Sequence, residues 1–305
     1  MYLSYSGFEK YQECPKAYWH SYIASTPLPK PENRINMLYG SIVGLLFEQF
    51  YNEQLWRKPG VPAEMAGRIP GAFKKVMEAE KEKGGVFDWT DKKAKYKNEK
   101  TLLSDVRDTI PRGLAAIKLH RMIGVKAEAE VKLDVDFDIP GGGRYRVGGR
   151  ADFVIHRIAP HHDFVILDGK GSAWRDSYAK PRQLRWYAVQ HKRKYGTIPD
   201  KVGFLFWRSE PENSVDWHSV TEKDVTDLQE VIQEVVISIE ESRRKLPVVG
   251  QPSKELLHDA FPARASKQAC SLCNYKTICP EGTLVTTGNF RVPVSDEAGV
   301  EDVGL

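Results

Sequence analysis

Cysteine is scarce in this chain, with four among 305 residues. Long apolar runs are absent: nothing approaches the roughly 18–20 residues that cross a bilayer. The opening stretch MYLSYSGFEKYQECPKAYWH has no basic segment followed by an apolar one, so it does not read as a secretory signal. These two absences predict a cytoplasmic protein without a membrane partner, a setting that disfavours structural disulfides. No Gly-x4-Gly-Lys-Ser/Thr loop is present, which excludes an ATP-driven motor of that type within the chain. There is no internal repeat. Neither sign of charge dominates: 45 Lys and Arg against 41 Asp and Glu leave a net +4. That mild excess suits a polyanionic partner and suits solvated lysines equally well.

What is present is unevenly placed. Three of the four cysteines fall in CSLCNYKTIC, at Cys270, Cys273 and Cys279, and the fourth is Cys14. Such clustering in a chain poor in thiols points to a metal or cluster site rather than to unrelated buried thiols.

Helical patterns come first. SGFEKYQECPKAYWHSYI predicts a short helix capped by Ser6, with Glu9 three residues on, divided where Pro15 follows Cys14. NMLYGSIVGLLFEQFYNEQLWR predicts a strongly apolar helix over 36–57. Residues 62–125 read as mostly helical. They are interrupted by Gly84–Gly85 and a lysine-rich run that fits either a mobile flap over a groove or a solvated insertion. The period then changes to two. EVKLDVDFDI alternates Val131, Leu133, Val135, Phe137 and Ile139 against Lys132, Asp134, Asp136 and Asp138, a half-exposed strand. RYRVGGRADFVI predicts the next strand, DFVILDGKGS a more buried one, a helix follows over about 176–195, and KVGFLFWR and SVDWHSV predict two more strands. Thr221 with Asp224 opens a long helix to about Lys245. The segments expected are 1–36, 37–126, 127–246, 247–285 and a flexible tail, 286–305.

Two carboxylates stand out. Asp168 closes the apolar run Phe164 to Leu167, and Lys170, two residues on, points the same way. Asp152 lies on the preceding strand, where a hairpin brings it alongside. Two carboxylates meeting at a sheet edge suit a hard divalent cation, and a neighbouring ammonium offsets charge growing on a phosphate. The bland alternative is a surface ion pair at a strand end.

The stretches GGRADFVI, VILDGKGS and QLRWYA, the last supplying Gln183 and Tyr187, resemble the PD-(D/E)XK nucleases of the RecB-like exonuclease group. YSGFEKYQECPKAYWHSYI resembles that group's opening, and GSIVGLLFEQF its first core helix. Glu130 sits where the family often has a glutamate opening the first strand. The spacing of Cys14, Cys270, Cys273 and Cys279 is similar to the group's iron–sulfur branch, which includes AddB-type nuclease domains and CRISPR-associated exonucleases. The resemblance implies an α/β (α+β), restriction-endonuclease-like fold, with a mixed central sheet flanked by helices. It implies a metal-dependent DNA nuclease, an exonuclease acting on single strands or duplex ends, working in DNA repair or recombination. Any motor would come from a helicase, recombination or CRISPR partner. Asp152, Asp168 and the Gly169 carbonyl would hold Mg²⁺ or Mn²⁺, Lys170 would position the attacking water, and Gln183 and Tyr187, four apart on one helical face, would support the site. The cysteines would bind a 4Fe–4S cluster, with Zn²⁺ as the competing occupant. Arg182, Arg185, Lys192 and Arg193 are candidates for phosphate contacts, and Trp174 and Trp186 for base stacking. One departure is evident: many members carry a histidine ligand in a Gly-x3-His pattern on the first core helix, and here Gly40 is followed by Gly44. Glu48, one turn along, is the candidate to replace it. The missing imidazole leaves open an alternative, a catalytically degenerate DNA-binding or assembly subunit.

Overall fold

In the computed structural model, which describes residues 1–29, 33–139, 143–157, 163–172, 181–247, 250 and 252–287, the chain divides into two units. One comprises Met1–Glu9 with Pro31–Glu241, the other Lys10–Lys30 with Ser242–Leu305. The predicted tail lies outside the described residues beyond Thr287.

A strand that the periodicity did not reveal, β1 (Tyr2–Ser4), begins the first unit. Ser4, rather than the expected Ser6, starts the helix after it, its hydroxyl accepting from the Gly7 amide at 3.2 Å. Helix α1 (Tyr5–Glu13) stops before Cys14, and α2 (Pro15–Tyr18) begins anew, because proline has no amide with which to continue the ladder. Helix α3 (Ile35–Asn52) buries Ile35, Leu38, Ile42, Leu46, Phe47 and Phe50. It is apolar almost all round because it lies between the sheet and the helices α4 (Val61–Gly67), α5 (Ile69–Glu82) and α6 (Glu99–Leu119). Each such fully buried side chain contributes about 1.5–3 kcal/mol. The lysine-rich stretch between α5 and α6 is pinned down rather than a flap. Asn33 Nδ2 donates to the Asp88 carbonyl at 2.9 Å and to Asp91 Oδ2 at 3.1 Å, and Asn36 Oδ1 accepts from the Lys95 amide at 2.7 Å.

The long alternating pattern divides between two sheets. Strands β2 (Gly124–Lys132) and β3 (Val135–Asp138) part at Leu133 and Asp134, and β4 (Arg144–Gly148) and β5 (Arg150–Arg157) part at Gly149. The two breaks face each other: the Leu133 amide donates to the Gly149 carbonyl at 3.0 Å, and the Gly149 amide donates to Asp134 Oδ1 at 3.2 Å. The smaller sheet has the order β1-β4-β3. The larger, β2-β5-β6-β7-β8, adds β6 (Phe164–Lys170), β7 (Lys201–Phe206) and β8 (Val215–His218). It is mixed: β6 and β7 run parallel and the other pairs antiparallel. A parallel pair needs a crossover, and α7 (Arg182–Tyr195) lies in it. Phe153, Ile155, Val165 and Leu167 join the α3 core, while the alternate residues turn toward α7. Helix α8 (Glu222–Arg244) starts as predicted, with Thr221 Oγ1 accepting from the Asp224 amide and Asp224 Oδ2 from the Thr221 amide.

Among its described residues the second unit has a small apolar core. Phe261 and Tyr18 are buried, and Tyr11 stands edge-on to both at ring distances of 6.5 and 5.4 Å. Around them lie α2, a π-helical turn at Trp19–Ile23, and the short helices α9 (Lys254–Ala260), α10 (Lys267–Leu272) and α11 (Pro280–Thr286). Ser253 and Ser266 cap α9 and α10. The buried Lys16 ammonium clasps both carboxylate oxygens of Glu281, at 3.0 and 2.9 Å.

Candidate active site

The pairing of Phe153 with Leu167 makes Asp152 and Asp168 the next residues across the β5–β6 ladder. Asp168 is only 3% exposed, so its carboxylate needs partners. Oδ1 accepts from Tyr187 Oη at 2.9 Å and from Gln183 Nε2 at 3.0 Å, and Oδ2 pairs with the Lys170 ammonium. Gln183 ties the group together: its Oε1 accepts from Lys170 Nζ at 2.9 Å, and its Nε2 also reaches Tyr187 Oη at 3.0 Å. Lys170 Nζ lies 5.2 Å from the centre of the Phe204 ring. The four-residue spacing on α7 aims Gln183 and Tyr187 at the same carboxylate.

Asp152 Oδ2 accepts from the Gly169 amide at 2.7 Å. Burial, then repulsion from Asp168, pushes the Asp152 carboxyl well above the usual carboxylate range. Burial and the same acids push the Tyr187 phenol up as well. The backbone is drawn in tightly here. A Cβ on Gly169 would stand 2.8 Å from Trp207 Nε1, and one on Gly171 would stand 3.0 Å from the Gly40 Cα. Only glycine permits both approaches.

Beside the acids lies a cavity of about 380 Å³, lined by Gly40, Gly44, Glu48, Glu130, Asp152 and Gly169 among others. A Cβ on Gly44 would meet nothing within 4 Å. Glu48 therefore shares a cavity with Asp152, and burial followed by the charge of Glu130 raises its pKa. Glu130 sits in the left-handed region, at φ 55°, and pairs with Arg150 at 3.2 Å. A non-glycine residue there carries strain of about 1–3 kcal/mol, a mark common at functional sites.

The basic residues of α7 are engaged within the fold. Arg182 pairs with Glu9 at 3.1 Å, Arg185 with Asp224 at 3.0 Å, and Lys192 with Glu222. Arg193 donates to the Asp136 carbonyl at 3.3 Å and lies over the Phe137 ring. Trp186 is fully buried, with Nε1 donating to the Gly148 carbonyl at 3.2 Å, so it packs the core and does not stack on bases. Trp174 lies outside the described residues. Sequence reasoning missed Trp207 and Arg208, although the WR that follows the apolar run of β7 was a signal of a strand end beside a site.

The four cysteines meet within the second unit. Cys14, Cys270, Cys273 and Cys279 line one cavity of about 300 Å³, together with Lys16 and His20. Burial raises the Cys273 thiol, and Cys14 and Cys270 add to that rise. Burial, together with the bond that Cys279 Sγ donates to Glu281 at 3.2 Å, pushes the Cys279 thiol up to about 11. Among the described residues no three His, Cys, Asp or Glu side chains converge closely enough to hold a single metal ion.

A family model described as the PD-(D/E)XK nuclease superfamily matches residues 2–280. No curated protein matches the chain. A solved structure titled "Crystal structure of SSO0001" is 13% identical, with 91% of this chain and 96% of that chain covered and a TM-score of 0.33. No helix among the described residues is long and apolar enough to cross a membrane.

Proposed function

Since the chain belongs to the PD-(D/E)XK nuclease superfamily, we propose that it is a Mg²⁺- or Mn²⁺-dependent DNA nuclease, an ATP-independent exonuclease acting on single strands or DNA ends. One observation carries the reading: Asp152, Asp168 and Lys170 gather at the start of β5 and the end of β6, beside a cavity, with Gln183 bridging acid and ammonium. The donors suit a hard dication. They are carboxylate oxygens and the Gly169 carbonyl, and the mutual repulsion that raises Asp152 is what a bound cation relieves. Bound there, the cation supplies polarisation of the phosphate and a more acidic water. Asp168 is held in place by Tyr187 and Gln183. Lys170, steadied by Gln183, orients the attacking water and offsets charge growing on the phosphate. Glu48 and Glu130 line the same cavity and add oxygen donors.

The cysteine cavity fits a 4Fe–4S cluster by its donor set, four thiols around a common space. Zn²⁺ is the competing occupant of the same four cysteines. Bound, the cluster would staple a unit whose apolar core is small.

The test is digestion of end-labelled single-stranded, double-stranded and circular DNA with Mg²⁺ or Mn²⁺, comparing wild type with Lys170→Ala. Loss of label from linear DNA by wild type alone is expected. Gly44 favours a second reading, a DNA-binding subunit with a degenerate site, and equal inertness of both proteins with either metal would select it.

A further inference from the structure

A second cluster of charge stands one residue beyond Lys170. Arg208 Nε donates to the Gly171 carbonyl at 2.8 Å, and its guanidinium lies 3.5 Å from the centre of the Tyr39 ring. Its Nη1 bonds to Asp105 Oδ2 at 2.6 Å and its Nη2 to Tyr96 Oη. Tyr96 Oη in turn donates to Asp105 Oδ2 at 2.5 Å. Lys95 then brings a second cation to the same carboxylate, with Nζ 3.6 Å from Asp105 Oδ2. That ammonium lies 5.3 Å from the centre of the Tyr96 ring and 5.9 Å from that of Tyr39.

The charges do not cancel. Two cations share one anion, and that anion is already taken by the arginine fork and a phenol. The Lys95 ammonium stands beyond direct hydrogen-bond length from the carboxylate. Its side chain is 54% exposed, whereas that of Arg208 is 14% exposed. Arg208 is thus the buried anchor, and Lys95 is the cation that faces outward. Burial and the nearby Arg208 both act against the Lys95 charge, so an added anion would be welcome there. The location is also specific. Gly171 follows the active-site lysine directly and is pressed against Gly40 of α3, which lines the active-site cavity. By contrast, Arg182, Arg185 and Lys192 on α7 already have carboxylate partners of their own.

We propose that Lys95, backed by Arg208 and Asp105, is a phosphate-binding position that holds the nucleic-acid strand by a phosphodiester neighbouring the one to be cut. This rests on the nuclease reading above and adds where the strand lies: across the N-terminal half of α3 and the lysine-rich segment, not along α7. The tyrosine rings beneath the ammonium hold it at a fixed height, and the Arg208–Gly171 bond fixes that height relative to Lys170.

Binding of a fluorescein-labelled oligodeoxythymidine to the full chain, followed by anisotropy across a KCl series in EDTA, tests this without cleavage. Each single-strand phosphate contact contributes about 0.7 to the slope of log K against log salt. Lys95→Gln is therefore expected to lower that slope by about 0.7 and to weaken binding evenly across sequences. Lys223→Gln, an exposed lysine of α8 away from this path, is expected to leave both unchanged. A Lys95→Gln slope equal to wild type, equal losses in the two variants, or no binding by wild type would each overturn the proposal. Separate digestion with Mn²⁺ keeps the two readings apart. Salt-dependent binding lost in Lys95→Gln, with no cleavage by wild type, removes the nuclease reading and leaves the phosphate position standing.

Discussion

Gly44 stands where the sequence resemblance expects a histidine ligand, and the structure makes the consequence measurable. The residue lies inside α3, its backbone is helical, and a Cβ there would meet nothing within 4 Å. Replacing it with alanine therefore removes the flexibility penalty of a helical glycine without a clash, a gain of about 0.5–1 kcal/mol. For a chain of this size that raises the melting temperature by about 1–3 °C. Histidine in the same place points its imidazole into the cavity that Asp152 and Glu48 line. Outer-shell partners of metal ligands are commonly worth about 10–100-fold in affinity. A direct ligand should do no less, so Gly44→His should lower the Mn²⁺ concentration for half-maximal cleavage by at least about tenfold, ~1.4 kcal/mol. The assays are thermal unfolding without metal and a Mn²⁺ titration of cleavage, with Gly44→Ala as the control for the helix effect. A destabilised Gly44→Ala would show that the space is filled. An unchanged Mn²⁺ midpoint in a stably folded Gly44→His would show that this position does not face the ion.

Lys170→Met should cost about 3–5 kcal/mol in metal-free protein, because it leaves Asp168 buried beside Asp152 without its ammonium. Mn²⁺ should then raise the melting temperature of the variant more than that of wild type, and an equal or smaller rise would contradict a shared cation site. Protein purified anaerobically should be brown with broad visible absorption, and Cys14→Ser should lose that colour, while a colourless wild type with stoichiometric zinc would refute the cluster. His191 is buried, and its pKa lies below the ordinary 6.5 chiefly for that reason. The unfolded chain therefore takes up the proton first, so stability is full above about pH 6.5 and falls as pH drops toward the folded value. His191→Asn should flatten that part of a urea-midpoint against pH curve, and an unchanged slope would refute the assignment.

Local rules carried the reading of the fold wherever one rule governed a whole element. The apolar helix at 36–57, the Thr221–Asp224 start of α8 and the break at Pro15 were legible because periodicity, a capping box and a missing amide act over a few residues. The division of 130–157 into two sheets was not legible. Alternation continues unbroken through Leu133 and Asp134, and what turns the chain there is a pair of bonds to Gly149, a contact between distant residues. Strand β1 was hidden for the same reason: it is three residues long and exists only because β4 pairs with it.

The site divides along the same line. Asp168 and Lys170 were legible as a pair because residues two apart on a strand share a face, and Gln183 and Tyr187 because residues four apart on a helix do. Charge was legible only as a count of cations. Arg182, Arg185 and Lys192 look free in the sequence, yet Glu9, Asp224 and Glu222 come from separate elements to meet them. Composition counts cations but not which of them the fold has already neutralised. At Lys95 the tally runs the other way, because among the described residues the one carboxylate paired with it, Asp105, is shared with a better placed guanidinium. The surplus positive charge that a polyanion would seek thus follows from how the acidic residues are distributed in space. That is why it falls in a segment whose sequence reads as an ordinary solvated insertion.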